Sequence, residues 1–292
     1  MSFSADVKEE LSKITNLSNK QCVKLEFIGY LGSANTSITN NMLRFSTESE
    51  YNINRFSKLL NNLNIDEYKI ELQGKNYVIT CKDSKIIDIN TEIETDLNNV
   101  ENELEEKALV RGCFLGSGSI NNPNNKYHIE LIFKEKEFAK KILEILQKYK
   151  INFKILDKKN CTSIYSKDGE EISRFLAFIG AGSAVLKFED IRVYRDMRNN
   201  VNRIVNCETA NLGKTINAAV KQIEAIESIK KDGKFLELTD NLKEIAELRI
   251  KYPEVSLTEL GKMTRVPIGK SGVNHRLKSI MKIAKGDGAF WQ

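Results

Sequence analysis

What this 292-residue chain lacks narrows its possibilities before any motif is read. It holds only three prolines and two histidines, His128 and His275, which excludes a histidine-rich metal centre. Five cysteines (Cys22, Cys81, Cys113, Cys161 and Cys207) are odd in number, widely spread and without a CxxC spacing. That usage argues against a disulfide framework or a zinc site and predicts reduced thiols in a cytosol. The opening MSFSADVKEELSKI is too charged to serve as an export signal, and the longest apolar run, 175–186, is too short to span a membrane. The most informative absence is of acid. No Asp or Glu occurs between Glu26 and Glu48, or between Glu106 and Glu130.

Those two acid-free stretches are copies of one another. Residues 25–37 read LEFIGYLGSANTS and 109–119 read LVRGCFLGSGS, so Leu31-Gly32-Ser33 recurs as Leu115-Gly116-Ser117. Tyr68-Lys69-Ile70 returns as Phe153-Lys154-Ile155 and Lys82-Asp83 as Lys167-Asp168, both after 85 residues. A duplication this long predicts a pseudo-twofold domain rather than a solenoid of short units.

Each copy predicts the same order of elements. A glycine-bearing apolar helix (about 20–35, then 104–118) precedes an extended segment (42–47, then 128–133). An amphipathic helix follows, with Phe56, Leu59, Leu60 and Leu63 matched by Phe138, Ile142, Ile145, Leu146 and Tyr149. A hairpin comes next (67–72 with 77–81, then 152–156 with 161–166), and a last helix at 170–179 closes copy two. The fold class is therefore α+β. Gly29, Gly32, Gly112, Gly116 and Gly118 are expected where the two first helices touch. The acidic stretch 92–106, seven acids and no base, reads as a solvated linker or helix face.

From about 218 the pattern is purely helical. Ile216, Ala219, Val220, Ile223, Ile226 and Ile229 form one stripe, and Leu242, Ile245, Ala246 and Leu248 another. Ser256 and Glu259 give a capping box, Leu257, Leu260 and Met263 one side of a short helix, and 266–269 a break. A longer helix over about 270–285 places Val273, Leu277, Ile280, Met281 and Ala284 on one face. Its other side carries Lys270, Ser271, Asn274, His275, Arg276, Lys278, Ser279 and Lys282, the expected DNA-contacting set. The layout is that of a helix-turn-helix, with the motif at about 256–289. Charge agrees: 262–292 holds seven Lys/Arg and one Asp, which marks this end for a polyanion.

Metal-dependent cleavage of a phosphodiester needs carboxylates beside the scissile bond. At the ends of the duplicated helices stand Ser33 or Asn35 in copy one and Ser117 in copy two, so these are expected to be degenerate metal-ligand positions. Gly213-Lys214-Thr215 and Gly269-Lys270-Ser271 look like the tail of a phosphate-binding loop. Such a loop needs a glycine where Glu208 and Thr264 stand, so neither is one.

MSFSADVKEEL at the start, RGCFLGSGSINNPNNKYHIEL at 111–131, FEDIRVYRDMRNNVNRIVNCETANLGKTI at 188–216, and SLTELGKM with GKSGVNHRLKSI at 256–280 together resemble the WhiA family of bacterial regulators. The resemblance implies a degenerate LAGLIDADG homing-endonuclease-like domain joined to a C-terminal helix-turn-helix, with transcriptional control of cell division, chromosome segregation and, in some lineages, sporulation. It places Ser117 where active enzymes carry the metal-binding Asp. The expected domains are 1–190, a basic linker at 191–217 and 218–292. Within 187–221, Arg192, Arg195, Arg198 and Arg203 either contact phosphates or pair with Glu189, Asp190, Asp196 and Glu208 to fix the domains together. The protein is expected to be a cytoplasmic, nucleoid-associated, non-catalytic regulator without metal or cofactor. Double-stranded DNA is its partner, with a second transcription regulator left open; neither a membrane nor a small-molecule substrate is expected. The alternatives are a metal-dependent endonuclease or RNA maturase, and a protein-interaction platform.

Overall fold

A computed structural model describes residues 2–15 and 17–286. The chain divides into two units, Met1–Asp196 and Met197–Gln292.

In the first unit, α1 (Phe3–Ser12) precedes two copies of one plan. Copy one runs α2 (Lys20–Gly32), β1 (Thr36–Thr39), β2 (Met42–Thr47), α3 (Glu50–Asn62), β3 (Tyr68–Gln73), β4 (Asn76–Cys81) and α4 (Ser84–Asn98). Copy two runs α5 (Glu103–Ser117), β5 (Ser119–Ile120), β6 (Ile129–Phe133), α6 (Lys136–Lys148), β7 (Lys154–Lys158), β8 (Cys161–Ser166) and α7 (Gly169–Ile179). Each copy builds an antiparallel four-stranded sheet in the same order, β1-β2-β4-β3 and β5-β6-β8-β7. The repeated sequence thus becomes a repeated topology, and the class is α+β as expected.

α2 and α5 pack backbone to backbone. A Cβ on Gly29 would lie 2.3 Å from the Leu109 carbonyl oxygen, and one on Gly112 2.0 Å from that of Glu26. Gly116 faces Ser33 across the same contact, whereas Gly32 abuts Phe138 and Gly118 its own Phe114. Three of the five glycines therefore serve the helix pair and two make room for aromatic rings.

The acidic stretch is solvated only in part: Glu92, Glu94, Glu101 and Glu103 are exposed, whereas Asp96, Glu105 and Glu106 are buried. Ile86, Ile89 and Leu97 of α4 are buried, Asp96 binds Lys24 at 2.8 Å, and Glu106 is buried and accepts hydrogen bonds from the Tyr149 hydroxyl and Lys148. Burial and the Glu106 carboxylate push the Tyr149 hydroxyl above its ordinary pKa.

α8 is a single helix over Gly182–Lys231, so the segment expected as a linker at 191–217 is helical throughout and the division between units falls inside it. Proline is absent from 187–221 and glycine occurs there once, which leaves nothing to break a helix. Val193, Met197, Val201 and Ile204 recur at helical spacing yet face water, as do Ile216 and Val220 of the expected stripe.

The second unit continues with a 3-10 turn (Lys234–Glu237), α9 (Asp240–Lys251), α10 (Leu257–Met263) and α11 (Lys270–Ala284). Its core joins Ile226 and Ile229 of α8 to Ile245, Leu260, Val273, Leu277 and Ile280. Residues 287–289 of the expected motif lie outside the described residues.

Candidate nucleic-acid interface and the degenerate helix ends

The turn before α11 is fixed by bonds among near neighbours. The Ser256 hydroxyl accepts from the Glu259 amide at 3.3 Å, while the Glu259 carboxylate accepts from the Ser256 amide at 3.2 Å, completing the capping box. The Ile268 amide donates to the Gly261 carbonyl at 3.0 Å, and the Thr264 hydroxyl lies 2.8 Å from the carbonyl oxygens of Gly261 and Val266. A Cβ on Gly261 would stand 2.1 Å from the Ile268 oxygen, so only glycine admits this closure.

Burial of Val273, Leu277 and Ile280 fixes which face of α11 meets water. Lys270, Ser271, His275, Lys278 and Lys282 are exposed; Asn274, Arg276 and Ser279 are half-buried. Two members of the set have partners within the unit. The Ser279 hydroxyl donates to the His275 carbonyl at 3.1 Å, and Arg276 lies 4.0 Å from Glu244 of α9. Glu244 also accepts from the Arg265 amide at 2.6 Å, so it ties α9 to the turn that aims α11. The signal for Glu244 was weak in sequence, because its partners lie on two other elements.

At the other candidate site the helix ends carry neutral groups. Ser33 caps α2 and donates to the Tyr30 carbonyl at 2.7 Å; Asn35 donates to the Gly116 carbonyl at 2.9 Å. The Ser117 hydroxyl donates to the Ile132 carbonyl and accepts from the Ile132 amide at 3.2 Å. Asn52 donates to the Leu115 carbonyl at 2.7 Å and Lys134 to the Leu31 carbonyl at 2.8 Å. Each of these side chains thus bonds to protein, all but Ser117 to a carbonyl in the last turn of α2 or α5, where the helix itself supplies no further amide. Among the described residues no three His, Cys, Asp or Glu side chains gather as a metal site would require.

Deeper in the helix pair, Glu26 is 2% exposed and holds Arg55 through two bonds of 2.7 and 2.8 Å and Arg111 through one of 3.1 Å. The four arginines of α8 divide. Arg192 pairs with Glu189 of its own helix at 3.1 Å, and Arg195 stacks on Tyr127 at 4.4 Å and binds the Pro123 carbonyl. Arg198 and Arg203 are exposed, with no ion pair among the described residues. All five cysteines are free; burial pushes Cys81 up to about 11 and Cys113 higher, whereas Cys207 is exposed. No described helix is long and apolar enough to cross a membrane.

Comparison with known proteins fits this arrangement. The profile of the WhiA LAGLIDADG-like domain matches residues 27–103 and 106–198, and that of the WhiA C-terminal HTH domain matches 201–284. A probable cell division protein WhiA from Clostridium tetani is 41% identical, covering 98% of both chains; its Clostridium perfringens (strain 13) counterpart is 38% identical at the same coverage. The full-length DUF199/WhiA crystal structure from Thermatoga maritima superposes with a TM-score of 0.61 at 30% identity, covering 99% of this chain and all of that one. The duplicated domain is accordingly LAGLIDADG-like and the C-terminal unit a helix-turn-helix, and the chain belongs to the WhiA family.

Proposed function

We propose that this protein is a non-catalytic, DNA-binding regulator of transcription that acts in cell division and chromosome segregation and, in some lineages, sporulation, working in the cytoplasm at the nucleoid. The observation that carries the proposal is α11: one face is locked into the core, and the other presents Lys270, Ser271, His275, Lys278 and Lys282 to solvent behind a rigid turn. Lys278 and Lys282 suit phosphates, because an ammonium is a point charge without directional readout; Asn274 can pair with an adenine edge. The curated relatives' name, probable cell division protein, supports the cellular role.

The absence of cleavage is proposed on chemistry. Ser33, Asn35 and Ser117 are neutral and already bonded to protein, so they offer no carboxylate to a divalent ion. A second regulator is proposed as partner on the exposed apolar residues Met197, Val201 and Ile204 of α8, within the second unit.

Gel-shift titration with genome-mapped sites tests the first reading, which fails if Lys278→Ala with Lys282→Ala leaves affinity unchanged. A plasmid-nicking assay with Mg²⁺ and Mn²⁺ tests the second; metal-dependent nicking by the unmodified chain, absent from a mock preparation, ends it. Ser117→Asp alone is expected to restore nothing, since copy one still lacks a ligand.

A further inference from the structure

The two tripeptides that fail as phosphate-loop motifs meet in space. Lys214 and Thr215 of α8 and Lys270 of α11 line one cavity in the second unit, of about 240 Å³, together with Gln222, Arg249 and Thr258. No carboxylate among the described residues lines it, so three cations share the space with hydroxyls and an amide.

Two of the lining side chains are buried and incompletely bonded. Arg249 is 1% exposed; one terminal nitrogen donates to the Pro253 and Val255 carbonyls at 3.2 and 2.8 Å, but its Nε has no partner among the described residues. Gln222 is 7% exposed and its Oε1 is likewise unpartnered. A guanidinium out of water without an anion is costly, and burial alone holds this one below the ordinary arginine range. The first residue of α11, Lys270, lines the same cavity, and no side chain caps that end of the helix, which leaves its positive terminus open.

We propose that this cavity is a phosphate-binding site, in which one phosphate group sits between Lys214, Arg249 and Lys270. Thr215 and Thr258 add hydroxyl donors; with free phosphate Gln222 Oε1 accepts from the protonated oxygen, whereas a phosphodiester carries no such proton and meets the Gln222 amide turned to donate through Nε2. The volume is below the roughly 300–1,000 Å³ of pockets for drug-sized ligands, so it suits the phosphate group rather than a whole nucleotide. The group comes either from free phosphate or from the backbone of bound DNA. The site is defined by buried groups of the unit itself rather than by the exposed face of α11.

The test uses the full chain and inorganic phosphate at constant ionic strength, balanced with chloride. Phosphate is expected to raise Tm by several degrees, as any ligand of the native state does, and to bind by calorimetry at one site. Lys214→Gln, at an exposed position that bears no core contact, is expected to leave the fold intact and to weaken binding at least about tenfold. Gln222→Glu places a fixed carboxylate beside Arg249 and is expected to raise Tm without phosphate and abolish the response to it. A variant that merely damaged the unit would lose Tm instead. Displacement of a fluorescent duplex by phosphate, lost in Gln222→Glu, assigns the site to the DNA backbone; independent binding assigns it to free phosphate. No phosphate response in the folded protein, or the same response in both variants, overturns the proposal.

Discussion

Gly29 and Gly112 face each other's helices so closely that any added carbon meets main chain, which has no rotamer to escape into. Gly112→Ala is therefore expected to cost about 1–3 kcal/mol or more, read as a fall in Tm with α2 and α5 forced apart. Glu26→Gln is expected to cost about 3–5 kcal/mol, because it leaves two arginines at a buried site with no anion. Lys8 supplies a pH dependence. Burial draws its ammonium down to about 8, with Glu48 opposing. Between about pH 8 and its unfolded value the unfolded chain carries a proton that the folded chain has released, so this residue makes stability rise with pH across that window. Subtracting the melting profile of Lys8→Met from that of the native protein isolates the rise; a flat difference would refute it. That the two first helices would touch was readable from their glycines, although only Gly32 and Gly116 fall at the same place of the repeat, Gly29 standing opposite Cys113 and Gly112 opposite Ile28 in its register. The Ser117 hydroxyl bonds were not, because Ile132 is brought to it only when β6 forms.

At the scale of elements, α10 and α11 were legible because their defining contacts are local: the capping box spans three residues, and the apolar stripe of α11 repeats each turn. α8 was not, because its apolar positions face water between 193 and 216 and no burial marks them. α1 and β1 went unread for a related reason, being short and largely polar. The faces of α11 separate two kinds of effect. Lys282→Ala is expected to weaken DNA binding equally on all sequences and to make the salt slope shallower by about one unit. Arg276→Ala is expected to lower Tm and to weaken binding on every sequence, because Arg276 stands near Glu244 rather than free for a base. Loss confined to a preferred site, with Tm unchanged, would return Arg276 to base reading.

For the whole molecule, division into two units predicts that a fragment from 218 to 292 folds and binds DNA alone, since it contains every residue of the second core. It lacks Lys214 and Thr215, so it should lose the phosphate response, keeping its full DNA affinity if the site takes free phosphate and losing part of it if the site holds a backbone phosphate. Circular dichroism and gel shift on that fragment check both halves of the expectation. The first unit cannot be divided in the same way. In the register of the Leu-Gly-Ser repeat, Glu26 of copy one corresponds to Val110 of copy two, so the acid that binds Arg55 and Arg111 is present once where strict symmetry would supply it twice. Paired with itself, copy one would bring two such acids to its seam; copy two would bring Arg111 twice and no acid. The ancestry of this domain is written in its repeats, but the two halves have become a lock and its only key, and neither can any longer stand in for the other.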